Sequence, residues 1–176
     1  MNKEDGKCIN CKKSKGGTFM LKKIKPYIIP TLIPIAVGGL AAFITRGSMD
    51  IYSEINTPPL SPPAWLFPVV WTVLYALMGI CSGIVYQNRA VNPEAAKSGL
   101  TYYAVSLVLN FAWTVIFFNF RYFLLSLAVL LALLYTIIKT VLFYRPVSKV
   151  AAYLQIPYAL WVGFATYLNA GIWYLN

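Results

Sequence analysis

Three groups of side chains have the types and spacings needed to hold a flat aromatic molecule. Trp71, Tyr75, Met78 and Ser82 recur at intervals of three and four residues, as do Ser106, Asn110, Trp113 and Phe117, and also Pro157, Trp161, Ala165, Leu168 and Ile172. On an α-helix such intervals put each group on one face. Indole and phenol rings offer planes for stacking, and an amide or hydroxyl among them orients a ligand with a few hydrogen bonds. Packing of one helix on the next accounts for the same spacing, and Asn110 fits an interhelical hydrogen bond equally well. Trp65, Trp173 and Tyr174 stand at the ends of apolar runs, where an interfacial aromatic belt explains them.

Conventional catalytic groups are scarce. The chain has no histidine, which excludes Ser-His-Asp and Cys-His nucleophiles, histidine-ligated zinc or haem, and imidazole pH switches. Its acids are Glu4, Asp5, Asp50, Glu54 and Glu94. Cys8 and Cys11 are two thiols two residues apart, but structural zinc needs four ligands, so a metal would have to be shared with a second chain or a partner. Cys81 lies inside an apolar run and reads as a small packing residue. No metal site and no required cofactor follow from this set.

The elements that must position the rings are set by composition. Of 176 residues, 59% are apolar and 11% charged, with a mean hydropathy of +0.65. Soluble domains carry about 25% charged residues. A bilayer core of about 30 Å takes about 20 apolar residues per helix. Five windows meet that length, near 27–45, 65–86, 100–118, 123–143 and 150–174. The expected fold is an all-α integral membrane protein, a five-helix transmembrane bundle over residues 26–176, preceded by a basic disordered tail at 1–25. Gly38 with Ala42 and Gly79 with Gly83 provide small-residue spacing for close helix contact, either within one bundle or between two.

The net charge of +10 is largely that tail, which holds eight lysines against Glu4 and Asp5. It argues against a nucleic-acid partner. Arg89, Lys97, Arg145 and Lys149 fall on the tail's side of the bundle, and only Arg46 and Arg121 on the other. The positive-inside rule then predicts a cytoplasmic N-terminus and an external C-terminus, in a bacterial plasma membrane. Lys139 is the one ionisable residue within a span, close enough to its end to snorkel. Without intramembrane carboxylates or paired broken helices, an ion-coupled inverted-repeat carrier is unsupported.

The segment between the first two windows contains Pro58-Pro59 and Pro62-Pro63, with Asp50, Tyr52 and Glu54 before them. Each proline fixes its own backbone and restricts the residue before it. The segment is either a stiff lid over a pocket or a connector.

The stretches PPLSPPAWLFPVVWTVLYALMG, LNFAWTVIFF and PYALWVGFATYLNAGIWYLN together resemble the TspO or translocator protein family, the tryptophan-rich sensory proteins. The resemblance covers residues 27–176 and rests on three motifs in order. It implies a five-helix bundle, usually a homodimer, with a pocket that accepts protoporphyrin IX, haem or other flat hydrophobic ligands. By motif position it implies ligand contacts at Tyr52, Pro62, Trp71, Asn110, Trp161 and Ala165. Trp113 joins them from the helix-face reading. Leu60 stands where the family usually has a tryptophan, and Pro58 where a lysine is common. The implied role is a membrane receptor or sensor involved in tetrapyrrole regulation. Light- and oxygen-dependent porphyrin degradation by Trp71 and Trp161 is one alternative, and tetrapyrrole or lipid transport another. The cholesterol-type pattern ending in a basic residue is missing, because no Lys or Arg follows Lys149.

Overall fold

The computed structural model describes the backbone of residues 15–48 and 54–176 and the side chains of 28–48 and 54–176. Helix α1 spans Lys15–Thr45 and passes into a 3-10 turn at Arg46–Ser48. The others are α2 (Leu66–Gln87), α3 (Pro93–Phe118), α4 (Phe123–Tyr144), α5 (Lys149–Leu154) and α6 (Ile156–Leu175). No strand occurs among the described residues. Helices α1 to α4 each carry a run long and apolar enough to cross a membrane, and α6, with 20 residues, is the fifth long helix of the bundle. Large apolar side chains such as Leu32, Val73, Leu125 and Leu160 lie exposed around the outside, as hydrocarbon-facing residues do.

Two boundaries differ from those expected. Helix α1 begins at Lys15, so residues 15–25, expected within a disordered tail, are helical. Lysine, leucine and methionine are good helix formers, and Phe19 to Lys25 contains neither glycine nor proline. Residues 1–14, with Cys8 and Cys11, lie outside the described part.

The fifth window is two helices rather than one. Pro157 has no N–H, and its ring crowds the carbonyl a turn earlier, so the ladder cannot run straight through. The Gln155 N–H instead reaches back to the Ala152 carbonyl at 3.2 Å, closing a tight turn from which α6 departs. Elsewhere the chain starts its helices as its residues dictate. Asn92 caps α3 by accepting the Ala95 N–H at 3.1 Å, with Pro93 in the first turn. Ser148 accepts the Ala151 N–H in the same way at α5.

Around the bundle, α1 packs on α2 and α3, α3 on α4, α4 on α6, and α5 lies between α2 and α4. Two small residues make the first contact possible. A Cβ at Gly79 would run into the Thr31 backbone of α1, and one at Gly38 into the Tyr75 ring of α2. Small-residue spacing therefore serves α1 against α2 inside one bundle.

Candidate functional site

The tryptophan-bearing faces of α2 and α3 meet near the end of the bundle that carries the 54–65 segment. Trp71 is the hub. Its ring lies 5.6 Å from Tyr75, 6.0 Å from Trp113 and 6.3 Å from Tyr158, centroid to centroid. Trp113 continues the series to Phe117 at 5.8 Å. Beside these rings is a cavity of about 110 Å³, floored by Trp71, Tyr75 and Trp113 and walled by Gly38, Ala41 and Thr45 of α1.

Polar groups hold the rings in place. Asn110 is fully buried, and its Nδ2 donates to the Tyr158 hydroxyl at 3.3 Å. Tyr75 interacts with the same amide. The Trp113 Nε1 donates to Asn169 Oδ1 at 3.3 Å, and Ser126 Oγ donates to that oxygen at 2.8 Å. Asn169 Nδ2 in turn donates to the Phe123 carbonyl at 2.9 Å. One buried amide of α6 thus ties together α3 and α4. In hydrocarbon such bonds average about 0.6 kcal/mol each and fix register more than they add stability.

A second, smaller space of about 10 Å³ lies behind Trp113 and is lined by Phe67, Phe117, Ala165, Leu168, Asn169 and Ile172. Phe67 borders both spaces and stands edge-on to Trp161 at 5.9 Å. Trp71, Asn110 and Trp113 are therefore one contiguous cluster. Ala165 lies in the second space, and Trp161 meets the ring of Phe67, which with Trp113 lines both. The Trp161 Nε1 is buried without a partner. Pro62 is half-buried in the loop. Tyr52, together with Asp50, lies outside the described residues.

The proline segment is docked rather than slack. Ser61 Oγ donates to the Pro58 carbonyl at 2.7 Å, and the turn between them puts Leu60 at φ 67, a left-handed conformation that leucine adopts at a cost. Pro58 is buried against Gly171 of α6, where a Cβ would strike the proline ring at 2.6 Å. The Tyr167 hydroxyl donates to the Pro59 carbonyl at 2.9 Å. Asn176 closes a reciprocal pair with Asn56, accepting its N–H at 3.0 Å and donating to its carbonyl at 3.0 Å. Glu54 pairs with Arg121 at 2.8 Å, and Arg121 too has a positive φ, 56°. The segment is thus fastened to α6 and to the α3–α4 turn.

Phe67, Tyr158 and Asn169 belong to the site although they were not among its expected residues. Each was signalled by spacing. Phe67 is four residues before Trp71, Tyr158 three before Trp161, and Asn169 four after Ala165. Among the described residues no group of acids and thiols is placed to hold a metal ion.

A five-span helical bundle whose lid-bearing end is filled with ordered rings is an integral membrane protein of the all-helical kind. The TspO/MBR family model matches residues 30–175, and the chain belongs to that family. It is 37% identical to the tryptophan-rich protein TspO of Chlorobaculum tepidum over 143 residues, 81% of this chain and 90% of that one. It is 34% identical to the protein CrtK of Rhodobacter capsulatus, over 79% and 85% of the two chains. The translocator protein of Bos taurus is 35% identical, over 83% and 87%.

Proposed function

We propose that the protein is a membrane receptor or sensor that takes protoporphyrin-like tetrapyrroles, and other flat hydrophobic molecules, into the ring-lined space under the lid. The observation that carries this reading is the Trp71 cluster: three aromatic neighbours within about 6.3 Å, a cavity beside them, and a buried Asn110–Tyr158 pair to orient a polar edge. With its basic loops on one side, the chain sits in a bacterial plasma membrane with that side cytoplasmic.

Size defines what must move. Pockets for drug-sized ligands run from about 300 Å³ upward, against about 110 Å³ here. The second space adds only about 10 Å³, so a ligand of that size needs helix or loop movement as well as rotation of Phe67 and Trp113, the rings that line both. The docked proline segment is the element we assign as the door.

Quenching of tryptophan fluorescence by protoporphyrin IX tests the reading. Trp71→Phe should weaken binding about tenfold, in line with the loss of a stacking partner. Phe67→Ala should tighten it or speed its onset. Unchanged binding in Trp71→Phe, Trp161→Phe and Phe67→Ala alike would remove the site. Illuminating the complex in air separates receptor from enzyme, because degradation must bleach porphyrin faster than the Trp71→Phe, Trp161→Phe double variant does.

A further inference from the structure

At the opposite end of the bundle, a crevice runs between α1, α2 and α3, with a volume of about 360 Å³. Its walls are apolar, chiefly Ile29 and Ile33 of α1 and Leu100 of α3, and both isoleucines are also exposed outward. Tyr86 and Leu100 border a second hollow of about 460 Å³ as well, at the level of the 88–92 loop. The two therefore adjoin at these side chains. The second hollow is where Arg89 and Lys97 stand.

These two cations are held ready. The Arg89 guanidinium lies 4.3 Å above the Tyr86 ring and donates one N–H to the Tyr86 carbonyl at 2.8 Å, which leaves the other edge of the fork outward. Neither Arg89 nor Lys97 forms an ion pair among the described residues, and Glu94 in the first turn of α3 pairs with neither. At the deep end, the Tyr103 hydroxyl is buried beside Ser82, whose Oγ donates to the Gly79 carbonyl at 3.0 Å.

An apolar cleft open to hydrocarbon, leading to two uncompensated cations at the polar boundary, matches one kind of molecule. We propose that this crevice is a binding site for an anionic glycerophospholipid of the adjoining leaflet, with its phosphate on Arg89 and Lys97 and an acyl chain along Ile29, Ile33 and Leu100. Basic pockets between membrane helices bind phosphate headgroups by this combination, and guanidinium meets phosphate through two parallel N–H bonds. The Tyr103 hydroxyl is a donor for an ester carbonyl of the same lipid. The site is separate from the ring cluster and does not depend on what binds there.

Native mass spectrometry of the delipidated full chain in nonionic detergent, titrated with dioleoylphosphatidylglycerol or dioleoylphosphatidylcholine, tests it. The wild type should prefer the glycerol lipid about tenfold, and R89Q/K97Q should reduce that preference to below about twofold. R145Q/K149Q, at the same end but outside the crevice, should retain it. Equal loss in both double variants would mean a diffuse charge effect and overturn the proposal. So would an unchanged preference in R89Q/K97Q, or displacement of the lipid by equimolar glycerol phosphate, which would mark a free-phosphate site. Should R89Q/K97Q fail to fold, a phosphatidylglycerol with a diazirine on its acyl chain reads the wild type directly. Label on residues 29–33 or 100–103 supports the site, and label confined elsewhere overturns it.

Discussion

The lid-bearing half of the bundle and the half with the basic loops are built on different terms. In the first, Trp113, Ser126, Asn169 and the Phe123 carbonyl satisfy one another, and Asn176, Tyr167 and Ser61 fasten the lid. In the second, the hydroxyl of Tyr144 and both polar atoms of the Gln155 amide are buried without partners. The first half has unpartnered buried atoms too, Asn110 Oδ1 and Trp161 Nε1, so the halves differ in reach. Hydrogen bonds of the first cross between elements, whereas side-chain bonds of the second, such as those of Ser82, Ser106, Thr136 and Thr140, stay within one helix. Packing holds the second end. Gly99 lets the Tyr144 ring lie against α3, and the turn at Gln155 seats α5 between α2 and α4. Hydrogen bonds specify the half where rings must be aimed, and apolar fit suffices where they need not be.

The sharpest way to break that comparison is to swap one amide at each end for leucine. Asn169→Leu removes three bonds and strands the Trp113 N–H, and should destabilise the protein by about 2–3 kcal/mol. Gln155→Leu replaces an amide that has no partner with an apolar group of similar volume, and should be neutral or stabilising. Thermal unfolding in a fixed detergent, followed by circular dichroism, reads both. Comparable losses in the two variants would show that Gln155 has a partner of equal worth, and the contrast between halves would collapse.

The next effect tests packing rather than polarity. Gly79→Ala must push the α1 backbone at Thr31, which cannot give way as a side chain can, and should cost about 1–2 kcal/mol. Gly39→Ala, one helix face away with nothing within 4 Å, should be neutral or stabilising by up to about 1 kcal/mol through helix propensity. The same melts serve. If Gly79→Ala is silent, α1 is not held against α2 by close approach, and the packing of that half would need another explanation.

What the sequence revealed follows the same division. The five crossings and the Trp71 and Trp113 faces were legible because burial imposes a helical period, and rings must follow it. Trp71 and Trp161 read as flanking one pocket by resemblance; Trp71 lines the larger space, and Trp161 packs on the Phe67 ring that lines both. The distance of Phe67 from Trp71 is one helical turn, but a phenylalanine among apolar residues gives no local sign that it lines two spaces. Asn169 was legible in position and not in role, since its worth comes from Ser126 and Phe123 on another helix. Pro157 announced the break at Gln155, but the apolar run continued across it and read as one span. At the basic end, Arg89 and Lys97 counted toward orientation, while their meeting with Leu100 and Tyr86 depends on how α2 and α3 are joined.

The smallest expected effect concerns the door itself, and it separates stability from access. Tyr167→Phe deletes one bond to the Pro59 carbonyl and keeps the ring, so stability should fall by less than about 1 kcal/mol. Asn176→Ala removes the reciprocal pair with Asn56 and should cost about the same, because both groups are exposed to water. Their larger consequence is kinetic. With the lid less firmly docked, protoporphyrin IX should quench tryptophan fluorescence several-fold faster in stopped-flow mixing. A lid that merely connects two helices would leave the rate unchanged. Rate acceleration without loss of melting temperature would place the barrier to entry in these few hydrogen bonds.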